Sequence, residues 1–129
     1  MAVITRLQSE KASKKVITKS QLSAHYQIDR GTLSKWLILF CKDIFENENV
    51  LLNRRKFSHS EVDKIKERLG SKPRFFWKAD LIEISEASYK TIRENIEQYP
   101  LVYGITKHTY RSLDKFPPKI GQQILDGLG

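Results

Sequence analysis

The chain has 129 residues, enough for one ordinary domain or two very small ones, and its hydrophobic share of 40% is normal for a folded protein. A formal charge of +8 and a pI near 9.6 favour a polyanionic partner, because Lys and Arg that neutralise phosphates release condensed counterions. A single cysteine, Cys41, excludes an internal disulfide. The longest apolar run, residues 36–41, is too short to cross a bilayer, so the sequence reads as cytoplasmic with no membrane partner.

Residues 1–16 read as a basic N-terminal arm in which Lys11, Lys14 and Lys15 add nonspecific phosphate contacts; they lack the continuous apolar stretch of a secretion signal. The run KSQLSAHYQIDRGTLSKWLI, residues 19–38, has the apolar spacing of two short helices packed across a tight turn. Leu22 and Tyr26 share a face of the first helix, Ile28 plugs the turn, and Leu33, Trp36 and Leu37 form the inner stripe of the second. Asp29 is placed to cap that second helix, and Gln27 stands where such turns usually carry glycine. With the inner face used for packing, Arg30, Gly31, Ser34 and Lys35 point outward. Trp36, Phe40, Phe45 and Phe57 read as core aromatics rather than base-stacking groups.

Residues 50–52 and 56–57, around Asn53, Arg54 and Arg55, predict a small β-hairpin. Residues 58–69 follow as an amphipathic helix, with Ser58 and Glu61 spaced as a capping box, Val62, Ile65 and Leu69 on one face, and Gly70 as the stop.

Sliding the chain against itself by 59 residues, without a gap, aligns Lys19 with Lys78, Leu22 with Leu81, Thr32 with Thr91, Phe57 with Phe116, Ile65 with Ile124, Leu69 with Leu128 and Gly70 with Gly129. The reading is a tandem duplication, residues 17–70 and 71–129, with a boundary at 71–74. In the second copy, residues 101–103 and 109–111 around 104–108 predict another hairpin. Pro117 and Pro118 open a last helix whose stripe is Ile120, Ile124 and Leu128. Phe75, Phe76 and Trp77 lie at the boundary, where they either join the copies or form a dimer surface.

Thr32, Leu33 and Trp36 within DRGTLSKW, the basic stretch after them and the segment RKFSHSEVDKI together resemble the winged helix-turn-helix domains of MerR-type regulators and of phage and transposon excisionases. The resemblance covers residues 17–70; in the second copy ASYKTIREN keeps the Ser cap, Thr and Ile, with Asn95 in place of the aromatic. The fold it implies is mainly α, as tandem duplicated winged helix-turn-helix units with short β-hairpin wings. It also implies a second helix in the major groove and a wing on backbone or minor groove.

On this reading Arg30 and Lys35 contact bases or phosphates, Ser34 donates to either with Gly31 beside it, Arg54, Arg55 and Lys56 grip phosphates or enter a narrow minor groove, and Lys19 is counted among the DNA-binding residues. Residues 1–70 hold 14 Lys and Arg against 8 Asp and Glu, or +6, whereas residues 71–129 hold 9 against 7, or +2. The first copy is therefore the stronger reader. In the second, Tyr89, Lys90 and Arg93 face competition from Glu83, Glu86, Glu94 and Glu97, which leaves tandem reading and protein contact both open.

His25, His59 and His108 fall in separate segments, none has metal-ligand spacing with Cys41, and no Gly-rich phosphate loop is present, so neither an enzyme nor a cofactor is expected. The leading expectation is a sequence-specific double-stranded DNA-binding protein, either a transcriptional regulator or an excisionase-like recombination accessory factor, nucleoid-associated in a bacterial or phage setting. The alternative is an adaptor whose helix-turn-helix units bind protein, whether a second copy, a recombinase or another member of a mobile-element assembly.

Overall fold

The computed structural model describes residues 16–45 and 47–129, so the contacts read for Lys11, Lys14 and Lys15 lie outside the described residues. Strand β1 (Ile17–Thr18) leads into helix α1 (Lys19–Tyr26), which starts where Thr18 Oγ1 accepts from the Gln21 amide at 3.0 Å and Gln21 Oε1 accepts from the Thr18 amide at 2.9 Å. Gln27 ends α1 in the left-handed region at φ 62°, the place where glycine was missed in the sequence. Helix α2 (Arg30–Phe40) begins at Asp29, whose carboxylate accepts from the Thr32 amide at 2.8 Å; hydrogen bonding from the Thr32 side chain and amide holds the Asp29 carboxyl below its usual range. The expected inner stripe is buried: Leu33, Trp36 and Leu37 are fully enclosed.

After a 3₁₀ turn at Lys42–Ile44 come α3 (Glu48–Asn53), β2 (Lys56–Phe57) and α4 (His59–Leu69). The capping box of Ser58 and Glu61 forms as the sequence predicts. The predicted wing does not form. Residues 50–52 lie in α3, because Asn47 caps that turn through the Val50 amide at 2.9 Å and a single helical turn buries Leu51 while leaving Leu52 outside. Strand β2 instead pairs antiparallel with β1, Ile17 opposite Phe57 and Thr18 opposite Lys56.

The second half repeats this order. Strand β3 (Phe76–Trp77), α5 (Lys78–Ser85), α6 (Tyr89–Gln98), α7 (Pro100–Tyr103), α8 (Lys107–Ser112), β4 (Lys115–Phe116) and α9 (Pro118–Leu128) stand 59 residues after their counterparts, α7 replacing the 3₁₀ turn. The sheet register is displaced by the same 59: Phe76 pairs with Phe116 and Trp77 with Lys115. Glu86, the counterpart of Gln27, is the other non-glycine residue at positive φ among the described residues, 61°. The second wing also fails, since residues 101–103 belong to α7 and residues 109–111 to α8, capped by Thr106. Among the described residues the fold is therefore mainly α with two small antiparallel sheets.

One core runs through both halves, from Leu22, Trp36 and Phe57 to Leu81, Tyr110 and Phe116, so the boundary at 71–74 separates copies of a pattern that pack as one body. The Trp36 indole N–H crosses it to donate to the Lys115 carbonyl at 3.0 Å, and Lys119 Nζ crosses back to the Glu67 carbonyl at 2.8 Å. Packing inside each half differs by paired changes in size. Ile17 and Val62 of the first half become Phe76 and Gly121 in the second, where a Cβ on Gly121 would lie 2.2 Å from the Phe76 ring. Ile44 and Arg68 become Tyr103 and Gly127, where a Cβ would lie 2.6 Å from the Tyr103 ring. No helix among the described residues is long and apolar enough to cross a membrane.

Candidate nucleic-acid interface

The inner stripe of α2 leaves Arg30 and Gly31 exposed and Ser34 half-buried on one side of the helix, with Ser34 one turn on from Arg30. The end of α3 and the turn after it rise beside them, and the start of α1 closes the third side. Together Lys19, Arg30, Gly31, Ser34, Leu52, Asn53, Arg54 and Arg55 line an open groove of about 440 Å³. Four of these residues are cations, and none is a carboxylate.

Lys19 sits at the base of this groove, its ammonium donating to Ser34 Oγ at 3.1 Å and to the Leu52 carbonyl at 3.3 Å. Partial burial and the nearby Arg30 charge hold it below the usual lysine range. Two cations crowded at one end of a groove repel each other, and an anion placed between them would relieve that repulsion. Phosphate oxygens, the acceptor groups of nucleic-acid backbones, have the charge and hydrogen-bonding capacity to do so.

Arg54 belongs to the groove wall but spends its guanidinium inward. It pairs with Glu61, donates Nε to the Lys56 carbonyl at 3.2 Å, and lies 5.3 Å and 5.9 Å from the Phe45 and Phe57 ring centres. Burial alone would raise the Glu61 carboxyl; the Ser58 amide and Arg54 together hold it below its usual range. Arg55 is exposed at the rim. Lys56 lies outside the groove, in β2 opposite Thr18, and Lys35 lies on the other flank of α2, where its ammonium donates to the Ser112 carbonyl. The sequence groups Arg30 with Lys35, yet only Arg30 shares the groove with Lys19.

The corresponding place in the second half is filled. Tyr89 and Tyr110, at the positions of Arg30 and Leu51, stack with ring centres 5.3 Å apart. Lys78, the counterpart of Lys19, keeps a bond to the Arg111 carbonyl at 3.4 Å and rests over both rings at 5.2 and 5.1 Å. Arg93 lies 5.8 Å from the Tyr89 ring centre, and burial pushes the Tyr110 hydroxyl up to about 12. Lys90 is exposed on α6, near an open groove lined by Glu94, Glu97 and Gln98. Tyr89 and Arg93, read from sequence as DNA contacts, are thus drawn together, with Lys78 resting over the same Tyr89 ring. Lys78 and Tyr110 were absent from that reading, although the 59-residue alignment of Lys19 with Lys78 carried the signal for one of them.

Among the described residues no group of three or more His, Cys, Asp or Glu side chains is arranged to hold a metal ion. Comparison of the chain with protein-family models, with curated proteins and with solved structures found no match in any of the three.

Proposed function

We propose that this protein binds double-stranded DNA sequence-specifically, with α2 in the major groove, as a transcriptional regulator or an excisionase-like recombination accessory factor. The observation that carries the reading is the carboxylate-free groove in which Lys19, Arg30 and Arg55 converge beside the exposed face of α2. Arg30 at the first turn of the helix has the reach and planar fork for guanine O6 and N7, while Lys19 and Arg55 are placed for phosphates beside it on the same flank of α2. The reading places the protein in the cytoplasm on nucleoid DNA and gives it no cofactor.

Selection from a random duplex pool tests it, followed by titration of the enriched site at two salt concentrations with wild type, Arg30→Ala and Lys19→Ala. The expected result is an enriched motif whose discrimination relaxes at one base pair in Arg30→Ala and whose affinity drops for all sequences in Lys19→Ala. Absence of enrichment, with the same weak binding in all three proteins, would overturn the reading.

One observation favours the adaptor as the second reading. Tyr99, Leu101 and Val102 around α7 are 51%, 94% and 54% exposed, an apolar tip at the far end of the second half. At the corresponding positions the first half keeps an aromatic, Phe40, but has Lys42 and Asp43 in place of Leu101 and Val102. A recombinase or a second copy docking there is compatible with DNA held at the first half.

A further inference from the structure

Helix α2 has a second flank, and the other half of the chain supplies it. On the side away from the groove, Thr32 and Lys35 face Trp77, Leu113, Asp114 and Lys115 across a cleft of about 230 Å³. Three contacts fix that neighbouring turn: Trp36 Nε1 donates to the Lys115 carbonyl at 3.0 Å, Lys35 donates to the Ser112 carbonyl, and Leu113 is buried in the common core. The offset of 59 makes residues 112–115 the counterparts of residues 53–56. Residues 53–55 line the groove on the opposite side of the same helix. One helix is therefore flanked by the same turn twice, once from its own half and once from the other.

We infer that the second half joins the DNA interface through this turn and not through its own α6. The inference rests on the DNA-binding reading of α2. A helix lying in the major groove has a phosphate backbone on each side of it, and two turns bracketing that helix are placed to meet one backbone each. Arg55 serves the first side. Lys115 serves the second, with its ammonium 4.8 Å from the Trp77 ring centre and 5.3 Å from that of Phe75, and with Trp77 46% exposed beside it. Helix α6 is unsuited to the task because Tyr89 fills the groove beside it and Glu94 and Glu97 line its outer side.

Two carboxylates accompany Lys115. Asp29 is engaged in capping the Thr32 amide, whereas Asp114 is exposed on the turn itself. Asp114 stands at the position of Arg55, so it opposes the phosphate that its counterpart attracts. This sets up a gain-of-affinity test, which a fold-disrupting variant would not mimic.

The probe is a mixed-sequence duplex about three helical turns long, titrated at several salt concentrations with wild type, Lys115→Ala, Asp114→Lys, Arg55→Ala and Arg30→Ala. Lys115→Ala is expected to flatten the salt slope by about 1, and Asp114→Lys to tighten binding and steepen the slope by about 1. Trp36 is fully enclosed, so emission quenched by acrylamide comes from Trp77 and should be shielded when DNA binds. Unchanged slopes in Lys115→Ala and Asp114→Lys, with Trp77 still open to quencher while Arg55→Ala loses affinity, would overturn the bracket alone. Unchanged binding in every variant, Arg30→Ala included, would overturn the DNA reading with it.

Discussion

The two halves place a lysine at the same spot on the same scaffold and treat it in opposite ways. In the first, Lys19 shares an open groove with Arg30 and bonds to Ser34; in the second, Lys78 is covered by Tyr89 and Tyr110. The change turns on position 30 and its counterpart 89, arginine in one half and tyrosine in the other. Arginine leaves a charged space open to solvent, whereas tyrosine fills the space and gives the lysine a ring to rest on, a contact worth about 0.5–2 kcal/mol. A repeated pattern can thus keep its backbone while one half leaves a charged groove open and the other turns the same positions to internal packing.

The largest effect that would break this comparison is at Trp36. Trp36→Ala removes a fully enclosed ring and the N–H bond to the second half, with an expected loss of about 3–5 kcal/mol in denaturant unfolding. Asn95→Ala, at the equivalent site, should stay within about 0.5 kcal/mol. If both variants melt alike, Trp36 is not what ties the halves together.

The binding difference comes next. Arg30→Ala should cost about 1–3 kcal/mol of specific DNA affinity, whereas Tyr89→Ala should leave DNA affinity unchanged and lower the melting temperature instead. A fall in affinity for Tyr89→Ala would mean that the second groove is also used.

The turns sharpen the comparison from the side of likeness. Gln27 and Glu86 share a left-handed conformation that costs an L-residue roughly 1–2 kcal/mol, part of which glycine returns as chain entropy. Gln27→Gly and Glu86→Gly should each stabilise by about 0.5–1 kcal/mol in thermal melts. Unequal gains would show that one turn carries contacts that the other lacks.

The smallest effect is acid-dependent and belongs to the first half. Arg68 grips the Asp43 carboxylate through two bonds of 2.7 Å and holds its carboxyl down at about 2. Because this value lies below that of the unfolded chain, the pair's contribution is fully present above the ordinary carboxylate range and is lost as pH falls toward 2. Asp43→Asn should therefore flatten the acid limb of a stability-against-pH curve, and Val102→Asn, at the equivalent position, should not. An acid limb unaltered by Asp43→Asn would remove the pair from the account.

Much of this fold is legible in the sequence wherever a signal is local. Asp29, Ser58 and Glu61 announce helix starts within four residues of the bonds they make, and the stripe of Leu33, Trp36 and Leu37 fixes which side of α2 is left for Arg30 and Ser34. The strands are illegible because each has two residues, too few for alternation, and β1 meets β2 across 40 positions of chain. The basic stretch after α2 looked like a wing because Leu51 and Leu52 flank turn residues. The cap at Asn47 decides for a helix instead. The fate of Arg54 depends on Glu61 and two aromatic rings brought in by the fold, and that of Lys35 depends on the second half, so neither direction is written in local spacing.

The size exchange between Phe76 and Gly121 has a consequence for assembly. Chains built from near-copies risk pairing an element with the wrong repeat during folding. Here α4 carries Val62 and Arg68 where α9 has Gly121 and Gly127, so α4 cannot settle against β3 and α7 without driving side chains into the rings of Phe76 and Tyr103. In the reverse exchange, α9 would bring Gly121 to the position of the buried Val62 and leave the volume of that side chain empty. Each closing helix therefore recognises its own half by volume, and the mismatch acts as a steric key that selects the correct pairing from two otherwise similar options.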